Sequence, residues 1–259
     1  MKISVLFNCR GRLELTELIL RRFLELMTYP FELVLAYDGN NKEYIDHLNS
    51  FCHFDHVVTN ENHREHRHKI LNKAQILCDG DYYMFLENDF YWDNPDAISN
   101  AIIALETIPE VDLVRMEIIP WHEEQMRKII PVGTDRLGIL KLPPEGPRYQ
   151  FVLNPHLRRD KMPVKGGYLS PLAGKGFEMT IVEAWLRENK TSGCLLGENF
   201  RHLGLWNTGS RFKKNYIPRF TLQRRRRVTE PFNPIKEFAM FCDNKYYQEL
   251  FRRYLDNNN

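Results

Sequence analysis

Short hydrophobic runs alternate with amphipathic segments along the first half of the chain. Ile3 to Phe7 is an apolar run of β-forming residues, and the segment from Leu13 to Met27 carries apolar side chains at helical spacing. Tyr29-Pro30 ends this predicted helix. A second apolar run, Phe31 to Tyr37, predicts another buried strand, which stops at Asp38-Gly39-Asn40.

The same alternation continues towards the middle of the chain. Strands that alternate with helices predict an α/β fold of Rossmann-like type, with a mostly parallel central sheet flanked by helices. In such a sheet, ligands bind at the carboxyl ends of the strands. The further elements predicted here are helices at about Lys42–Phe51, Lys69–Cys78 and Pro95–Leu105 and strands at His56–Thr59, Tyr82–Leu86 and Val111–Ile119.

The second half of the chain has a less regular pattern. We expect residues 1–210 to form one α/β domain, and residues 211–259 to form a basic, aromatic-rich helical extension. The pattern predicts a loop-rich insertion at Pro120–Arg148, strands at Tyr149–Asn154 and Cys194–Phe200, and helices within Gly174–Asn189 and Phe232–Leu255.

Composition narrows the possible partners and the compartment. The formal net charge is only +2, so bulk electrostatics do not indicate a nucleic-acid partner. Arg224 to Arg227 form a basic run that favours a solvated surface, with phosphate, RNA or peripheral contact with an anionic membrane as alternatives. The five cysteines show no paired spacing, and no stretch reaches the ~20 apolar residues of a membrane helix. A cytoplasmic protein with reduced thiols is therefore expected.

Polar residues follow each of the first four predicted strands. Because the carboxyl ends of parallel strands meet at one edge, these side chains are expected to form a nucleotide site. Arg10 and Arg12 are also compatible with ordinary surface arginines, and Asp38-Gly39 with a simple turn. The polar residues, in strand order, are Arg10 and Arg12, then Asp38, then Asn60, then Glu87 and Asp89.

Several short motifs occur in a characteristic order. Asn72 stands six residues before Cys78, and Gly80 and Tyr82 follow at fixed spacing. The strand then ends in Glu87-Asn88-Asp89, an acidic variant of Asp-x-Asp; Gly176-Phe177-Glu178 and Phe200-Arg201-His202 come later. Together these motifs resemble family 2-like glycosyltransferases of the GT-A fold over roughly Lys2 to Gly204. The chain departs from that family where Leu71 replaces an arginine, whose role would fall to Arg67, Lys69 or Lys73.

The resemblance implies a nucleotide-sugar donor, a glycan or glycoconjugate acceptor, and Mn²⁺ or Mg²⁺ as cofactor. Asp89 would bind the metal directly, Glu87 would bind it through water or hold the ribose hydroxyls, and His202 would add a nitrogen ligand that favours Mn²⁺. The other donor-binding residues would be Arg10, Arg12, Asp38 and Asn72.

An inverting transfer, which the motif order favours, needs a general base for the acceptor hydroxyl. Glu178 is the first candidate and Glu183 the second. Three other functions remain open: a nucleotidyltransferase, for which Cys9-Arg10-Gly11-Arg12 is a poor phosphate loop; a non-catalytic nucleotide- or glycan-binding relative; and an RNA-binding protein. The histidines at positions 63, 66 and 68 predict a basic loop near the donor phosphates, with a metal site as the alternative.

Overall fold

The computed structural model describes residues 1–60, 67–116, 130–132, 139–141, 153–170, 177–195 and 199–202. Within these ranges the chain forms strands and helices in the predicted alternation. The strands are β1 (Ile3–Cys9), β2 (Phe31–Tyr37), β3 (His56–Thr59), β4 (Tyr82–Glu87), β5 (Phe90–Trp92), β6 (Leu113–Arg115), β7 (Ile130–Val132), β8 (Ile139–Lys141), β9 (His156–Arg158), β10 (Ser192–Leu195) and β11 (Phe200–His202). The helices are α1 (Leu13–Leu26), α2 (Lys42–Asn49), α3 (Arg67–Leu77), α4 (Ala97–Thr107) and α5 (Phe177–Arg187).

Nine of these strands form one sheet, in the order β3-β2-β1-β4-β9-β6-β10-β8-β7. The first four strands are parallel, with Ile3 of β1 opposite Phe31 of β2 and Tyr82 of β4. Strands β9 and β8 run against their neighbours, and the other seven point in one direction. The sheet is therefore mixed but mostly parallel, as the sequence predicts. A separate two-stranded sheet joins β11 to β5.

Helices cover both faces of the sheet. Side chains alternate along a strand, so Val5 and Phe7 of β1 pack on one face while Leu6 packs on the other. Helices α1 and α4 bury their apolar stripes on the first face, and α3 and α5 bury theirs on the second. This double cover explains why β1 and β2 are continuous hydrophobic runs. Among the described helices, none is long and apolar enough to cross a membrane.

A glycine sets the distance between the turn before β4 and the start of β1. A Cβ atom on Gly80 would lie 2.6 Å from the backbone nitrogen of Ser4 and 2.9 Å from the carbonyl oxygen of Lys2. The Gly80 backbone N–H donates to the Ser4 hydroxyl at 2.6 Å. Because these neighbours are mostly backbone and cannot move aside, only glycine fits at this position.

The second half of the chain differs from the sequence prediction in three places. The segment predicted as a loop at 120–148 contains β7 and β8, which extend the sheet. Most of the strand predicted at 149–154 lies outside the described residues, and a strand that was not predicted, β9, follows it at His156–Arg158. The single strand predicted from Cys194 to Phe200 is two strands in different sheets, β10 and β11. The extension predicted at 211–259, with its basic run Arg224–Arg227, lies outside the described residues.

Candidate functional site

The carboxyl ends of β1 to β4 meet at one edge of the sheet. The backbone N–H of Asp38 donates to Cys9 O at 2.9 Å, and the N–H of Asn60 donates to Tyr37 O at 3.2 Å. On the other side of β1, the N–H of Asn88 donates to Asn8 O at 3.2 Å. These backbone contacts bring the polar residues that follow the four strands to the same edge, as the order of the strands predicts.

The side chains of the acidic motif Glu87-Asn88-Asp89 have different surroundings, because Glu87 and Asp89 contact arginines whereas Asn88 is buried. Asn88 is only 3% exposed, and its amide donates to Thr16 Oγ1 at 2.8 Å and to Gly11 O at 3.2 Å. The Tyr44 hydroxyl donates to the same two acceptors, at 2.9 Å from Gly11 O and 2.6 Å from Thr16 Oγ1. Asn88 thus anchors the β1–α1 turn, a role that the sequence analysis missed.

The β1–α1 turn has an unusual backbone that directs Arg12 to the acidic motif. Gly11 and Arg12 both adopt the left-handed conformation, with φ of 58° and 57°. The Arg12 guanidinium then lies 3.3 Å from Asp89 Oδ2 and 3.4 Å from Asn88 Oδ1. A non-glycine residue rarely adopts this conformation, so the turn depends on the contacts that hold it.

Glu87 is held by a second arginine. Arg67, at the beginning of α3, forms an ion pair and hydrogen bond with Glu87 Oε1. Asn8 donates to the same oxygen at 2.9 Å. Of the three cations proposed to replace the family's arginine, Arg67 is therefore the one that the structure places against the acidic motif.

Arg67 also lies in the field of further carboxylates. Burial lowers the pKa of Arg67 below its usual value, while Glu178, Asp89 and Asp38 act in the opposite direction. These three carboxylates come from different parts of the chain, one from α5 and two from strand ends. Arg67 is thus paired with Glu87 and is close enough to Glu178, Asp89 and Asp38 for their charges to act on it.

Asp38 lies at the far side of this edge, after β2. Asn60 donates its amide to Asp38 Oδ1 at 2.9 Å, and Arg10 Nε lies 3.6 Å from Asp38 Oδ2. The Arg10 side chain is 82% exposed, so its contact with Asp38 is a surface ion pair that contributes little to stability. Asn60 is buried and fixes the orientation of the Asp38 carboxylate.

Glu178 is the second residue of α5 and is exposed. Its Oε1 accepts a hydrogen bond from the backbone N–H of Leu153 at 2.8 Å, which fixes the direction of the carboxylate. Glu183 lies five residues further along the helix and is partly buried. The electrostatic effect on Arg67 links Glu178 to the acidic motif.

Two sequence-predicted residues have contacts of another kind. Asn72 clamps the backbone of Tyr168, donating to its carbonyl at 2.9 Å and accepting from its N–H at 2.7 Å. Its role in donor binding stays a prediction. His68 is buried and packs against the Phe177 ring with 6.4 Å between the ring centroids, while positions 63 and 66 lie outside the described residues.

His202 approaches the acidic motif through the small sheet. Strand β11 pairs antiparallel with β5, and His202 is opposite Phe90, the residue that follows Asp89. The backbone of this pairing brings the C-terminal motif to the end of β4. Its role as a metal ligand stays a prediction.

The acidic motif offers oxygen ligands for a divalent cation. In the part of the chain that the structure describes, no three His, Cys, Asp or Glu side chains form a cluster that could hold a metal ion. Two carboxylates, from Glu87 and Asp89, do lie at one strand end. Mg²⁺ is commonly bound in this way, by one or two carboxylates together with substrate phosphates. The residues therefore fit a cation shared with a diphosphate.

Comparison with known proteins identifies the fold. No family model matches the sequence, and no curated protein matches it. Among solved structures, TarS 1-349 of S. aureus superposes with a TM-score of 0.55 at 14% identity, covering 77% of this chain and 59% of that one. The complex of TarS 1-349 with UDP-GlcNAc gives 0.54 at 14% identity, covering 84% and 62%. Its complex with UDP gives 0.55 at 16% identity, covering 77% and 59%.

The protein therefore has a GT-A-like glycosyltransferase fold, in agreement with the resemblance seen in its sequence. The chain spans about three fifths of the length of the TarS chains that it matches. At this level of identity the likeness establishes the fold alone, and the activity has to be argued from the site.

Proposed function

We propose that this protein is a glycosyltransferase that moves a sugar from a nucleotide-sugar donor to a hydroxyl group of a glycan or glycoconjugate. The observation that carries the proposal is the pair of acidic residues Glu87 and Asp89, held by Arg67 and Arg12 at the carboxyl edge of a GT-A-like sheet. The charges of Asp38 and Glu178 also act on Arg67. A nucleotide-sugar, UDP-GlcNAc, is bound by TarS, whose fold is similar.

The donor would lie along the ends of β1, β2 and β4. Asp38, which is held by Asn60, would accept a hydrogen bond from the base. Arg10 and Arg12 supply positive charge for the base or for the phosphates. Arg12 is the N-cap of the 14-residue helix α1, whose N-terminus also favours an anion.

The residues that would hold a divalent cation are Asp89, Glu87 and His202. When bound, such a cation neutralises negative charge on the departing diphosphate. Two carboxylates and an imidazole suit Mn²⁺ or Mg²⁺, with the nitrogen favouring Mn²⁺. The diphosphate of the donor would complete the ligand set.

Glu178 is the proposed general base, and the transfer would proceed with inversion. The Glu178 carboxylate would take the proton from the acceptor hydroxyl. The hydroxyl oxygen would bond to the anomeric carbon as the nucleoside diphosphate leaves from the opposite face. The hydrogen bond from Leu153 N–H keeps one oxygen of Glu178 fixed. Arg12 and Arg67 would balance the negative charge that develops on the leaving diphosphate.

The donor is identified first by its effect on the melting temperature. UDP-, GDP-, CDP- and dTDP-sugars are added with and without Mn²⁺, and a ligand that binds the native state raises the melting temperature. A shift with one nucleotide class that requires Mn²⁺ supports the proposal. If no nucleotide-sugar shifts the melting temperature, the donor site as described is wrong.

Glu178→Gln then tests the chemistry. Glutamine can still accept the Leu153 N–H, so we expect unchanged donor binding with a loss of about 10²-fold or more in the release of nucleoside diphosphate. Glu183→Gln on the same helix is the matched control and should keep the wild-type rate. Loss in the control instead would move the base to Glu183. Donor binding without turnover in the wild type would favour a non-catalytic nucleotide- or glycan-binding protein.

A further inference from the structure

We propose that Arg12 and Arg67 are exchangeable counter-ions, which hold Asp89 and Glu87 while the metal is absent and turn to the donor diphosphate when a divalent cation binds. The proposal rests on the proposed function for the identity of the site. It assigns to the two arginines a coupling role between metal and diphosphate.

The ion pairs themselves are the first step. Each carboxylate of the acidic motif has its own arginine, Arg12 for Asp89 and Arg67 for Glu87. The carboxylate side chains are 15% and 18% exposed, while those of the arginines are 22% and 39% exposed. The carboxylates are therefore less exposed than the cations paired with them, so a metal ion that binds both carboxylates has to compete with the arginines.

The second step is charge. Glu87 and Asp89 are two residues apart at the end of one strand, so their negative charges repel each other unless cations balance them. A divalent cation would satisfy both carboxylates, but it would also be repelled by Arg12 and Arg67 in their observed positions. Metal and arginines therefore compete for the same two carboxylates.

The third step is that the site can release its arginines without collapsing. Asn8 donates at 2.9 Å to the same Glu87 oxygen that Arg67 contacts, and Asn8 is only 6% exposed on β1. This buried amide keeps Glu87 in place after Arg67 leaves. Arg12 contacts Asp89 at 3.3 Å, a long distance for a charged hydrogen bond, which indicates a loosely held partner.

The fourth step is where the released arginines would go. A diphosphate bridged to the metal brings negative charge to the same strand end, and a guanidinium can bind phosphate oxygens in pairs. In the absence of diphosphate the arginines would weaken metal binding. When diphosphate is present, they would bind its oxygens and the metal would be free to bind the carboxylates. By linkage, metal and diphosphate must each strengthen the binding of the other.

The experiment measures binding of Mn²⁺ alone by titration calorimetry, with no sugar or nucleotide present. Arg67→Gln and Arg12→Gln should each bind Mn²⁺ more tightly than the wild type, by about tenfold or less, since each removes one competing cation. Arg21→Gln is the matched control, because Arg21 is also paired with a carboxylate, Glu17, at 2.8 Å on α1. Its Mn²⁺ affinity should be unchanged.

The titration is then repeated with inorganic pyrophosphate. Pyrophosphate should strengthen Mn²⁺ binding in the wild type and in Arg21→Gln, and should do so much less in Arg67→Gln and Arg12→Gln. Arg67→Lys keeps the charge and should bind Mn²⁺ like the wild type. If circular dichroism shows that Arg67→Gln does not fold, the comparison of Arg12→Gln with the wild type and with Arg67→Lys still tests whether loss of a positive charge strengthens Mn²⁺ binding.

Three results would overturn the proposal. The first is equal or weaker Mn²⁺ binding in both glutamine variants. The second is an absence of Mn²⁺ binding in every variant. The third is pyrophosphate binding in EDTA that Mn²⁺ does not improve, which would mean that the arginines replace the metal. Because the assay contains neither sugar nor acceptor, it does not depend on a general base, so failure here is distinct from failure of the transferase proposal.

Discussion

Asn88 is the middle residue of the acidic motif, yet its side chain is built into the interior. The neighbouring carboxylates contact arginines, whereas the Asn88 amide contacts Thr16 and Gly11 beneath the β1–α1 turn. Replacing Asn88 with alanine should therefore destabilise the fold and disturb the donor site at the same time. The effect on the fold follows from the contacts that are lost.

The size of the effect can be worked out from those contacts. Asn88→Ala removes hydrogen bonds of 2.8 Å to Thr16 Oγ1 and 3.2 Å to Gly11 O. Each buried hydrogen bond contributes about 1 kcal/mol net, and the loss of a partner adds part of the cost of an unsatisfied group. The Tyr44 hydroxyl still donates to both acceptors, which limits the cost of leaving them unsatisfied. We expect a loss of about 2 to 3 kcal/mol in the free energy of unfolding.

Urea unfolding followed by tryptophan fluorescence measures this loss. Asn49→Ala is the matched control, because Asn49 is the exposed last residue of α2 and its replacement should change the free energy by less than about 0.5 kcal/mol. Asn88→Ala should also weaken nucleotide-sugar binding, since Asn88 accepts from Arg12 at 3.4 Å. If Asn88→Ala were as stable as Asn49→Ala, the buried network would not hold the turn, and the reasoning would be refuted.

Two further predictions concern buried cysteines and a glycine. Burial raises the pKa of Cys9, Cys52 and Cys78 from 9.0 to about 12, so the folded state favours the neutral thiol. The free energy of unfolding should therefore fall as the pH rises from about 9 to about 12, and in urea titrations Cys78→Ala should show a smaller fall than the wild type. Gly80→Ala places a Cβ 2.6 Å from Ser4 N and should lower the melting temperature strongly, whereas a wild-type value would contradict the close approach.

The N-terminal half of the fold could be predicted because its pattern is local. Strands β1 and β2 are continuous apolar runs, and α1 carries an apolar stripe, so each segment indicates its own structure. The parallel order then follows from the alternation of strand and helix. The meeting of Asp38, Glu87 and Asp89 at one edge required only that order.

The second half could not be predicted because its strands are short and their partners are distant. Strand β7 contains Pro131 and β9 contains His156 and Arg158, residues that do not indicate a buried strand. Arg158 is only 1% exposed because its guanidinium binds His156 Nε2, the carbonyl of Lys161 and the side chain of Gln75. Burial of this arginine depends on hydrogen bonds across the fold, which no local pattern reveals.

The site was predicted in part for the same reason. The acidic motif follows a buried strand and can be recognised from the sequence, whereas Arg67 could be named only as one of three cations. Its contact with Glu87 depends on how α3 is set against β4, and tertiary packing decides that. Asn72 also contacts a distant part of the chain, the backbone of Tyr168, and its role in donor binding stays a prediction.

Charge balance at the candidate site gives a reason to expect a cation. The described residues place four carboxylates and three guanidinium groups there, so the protein groups leave one negative charge in excess. A diphosphate adds further negative charge and would be repelled. A divalent cation that binds with it returns the net charge of the site towards the value for the protein groups alone. Donor binding and metal binding would then be linked through this excess, and Arg12 and Arg67 are the groups that can move to follow it. The groups counted are Asp38, Glu87, Asp89 and Glu178 against Arg10, Arg12 and Arg67.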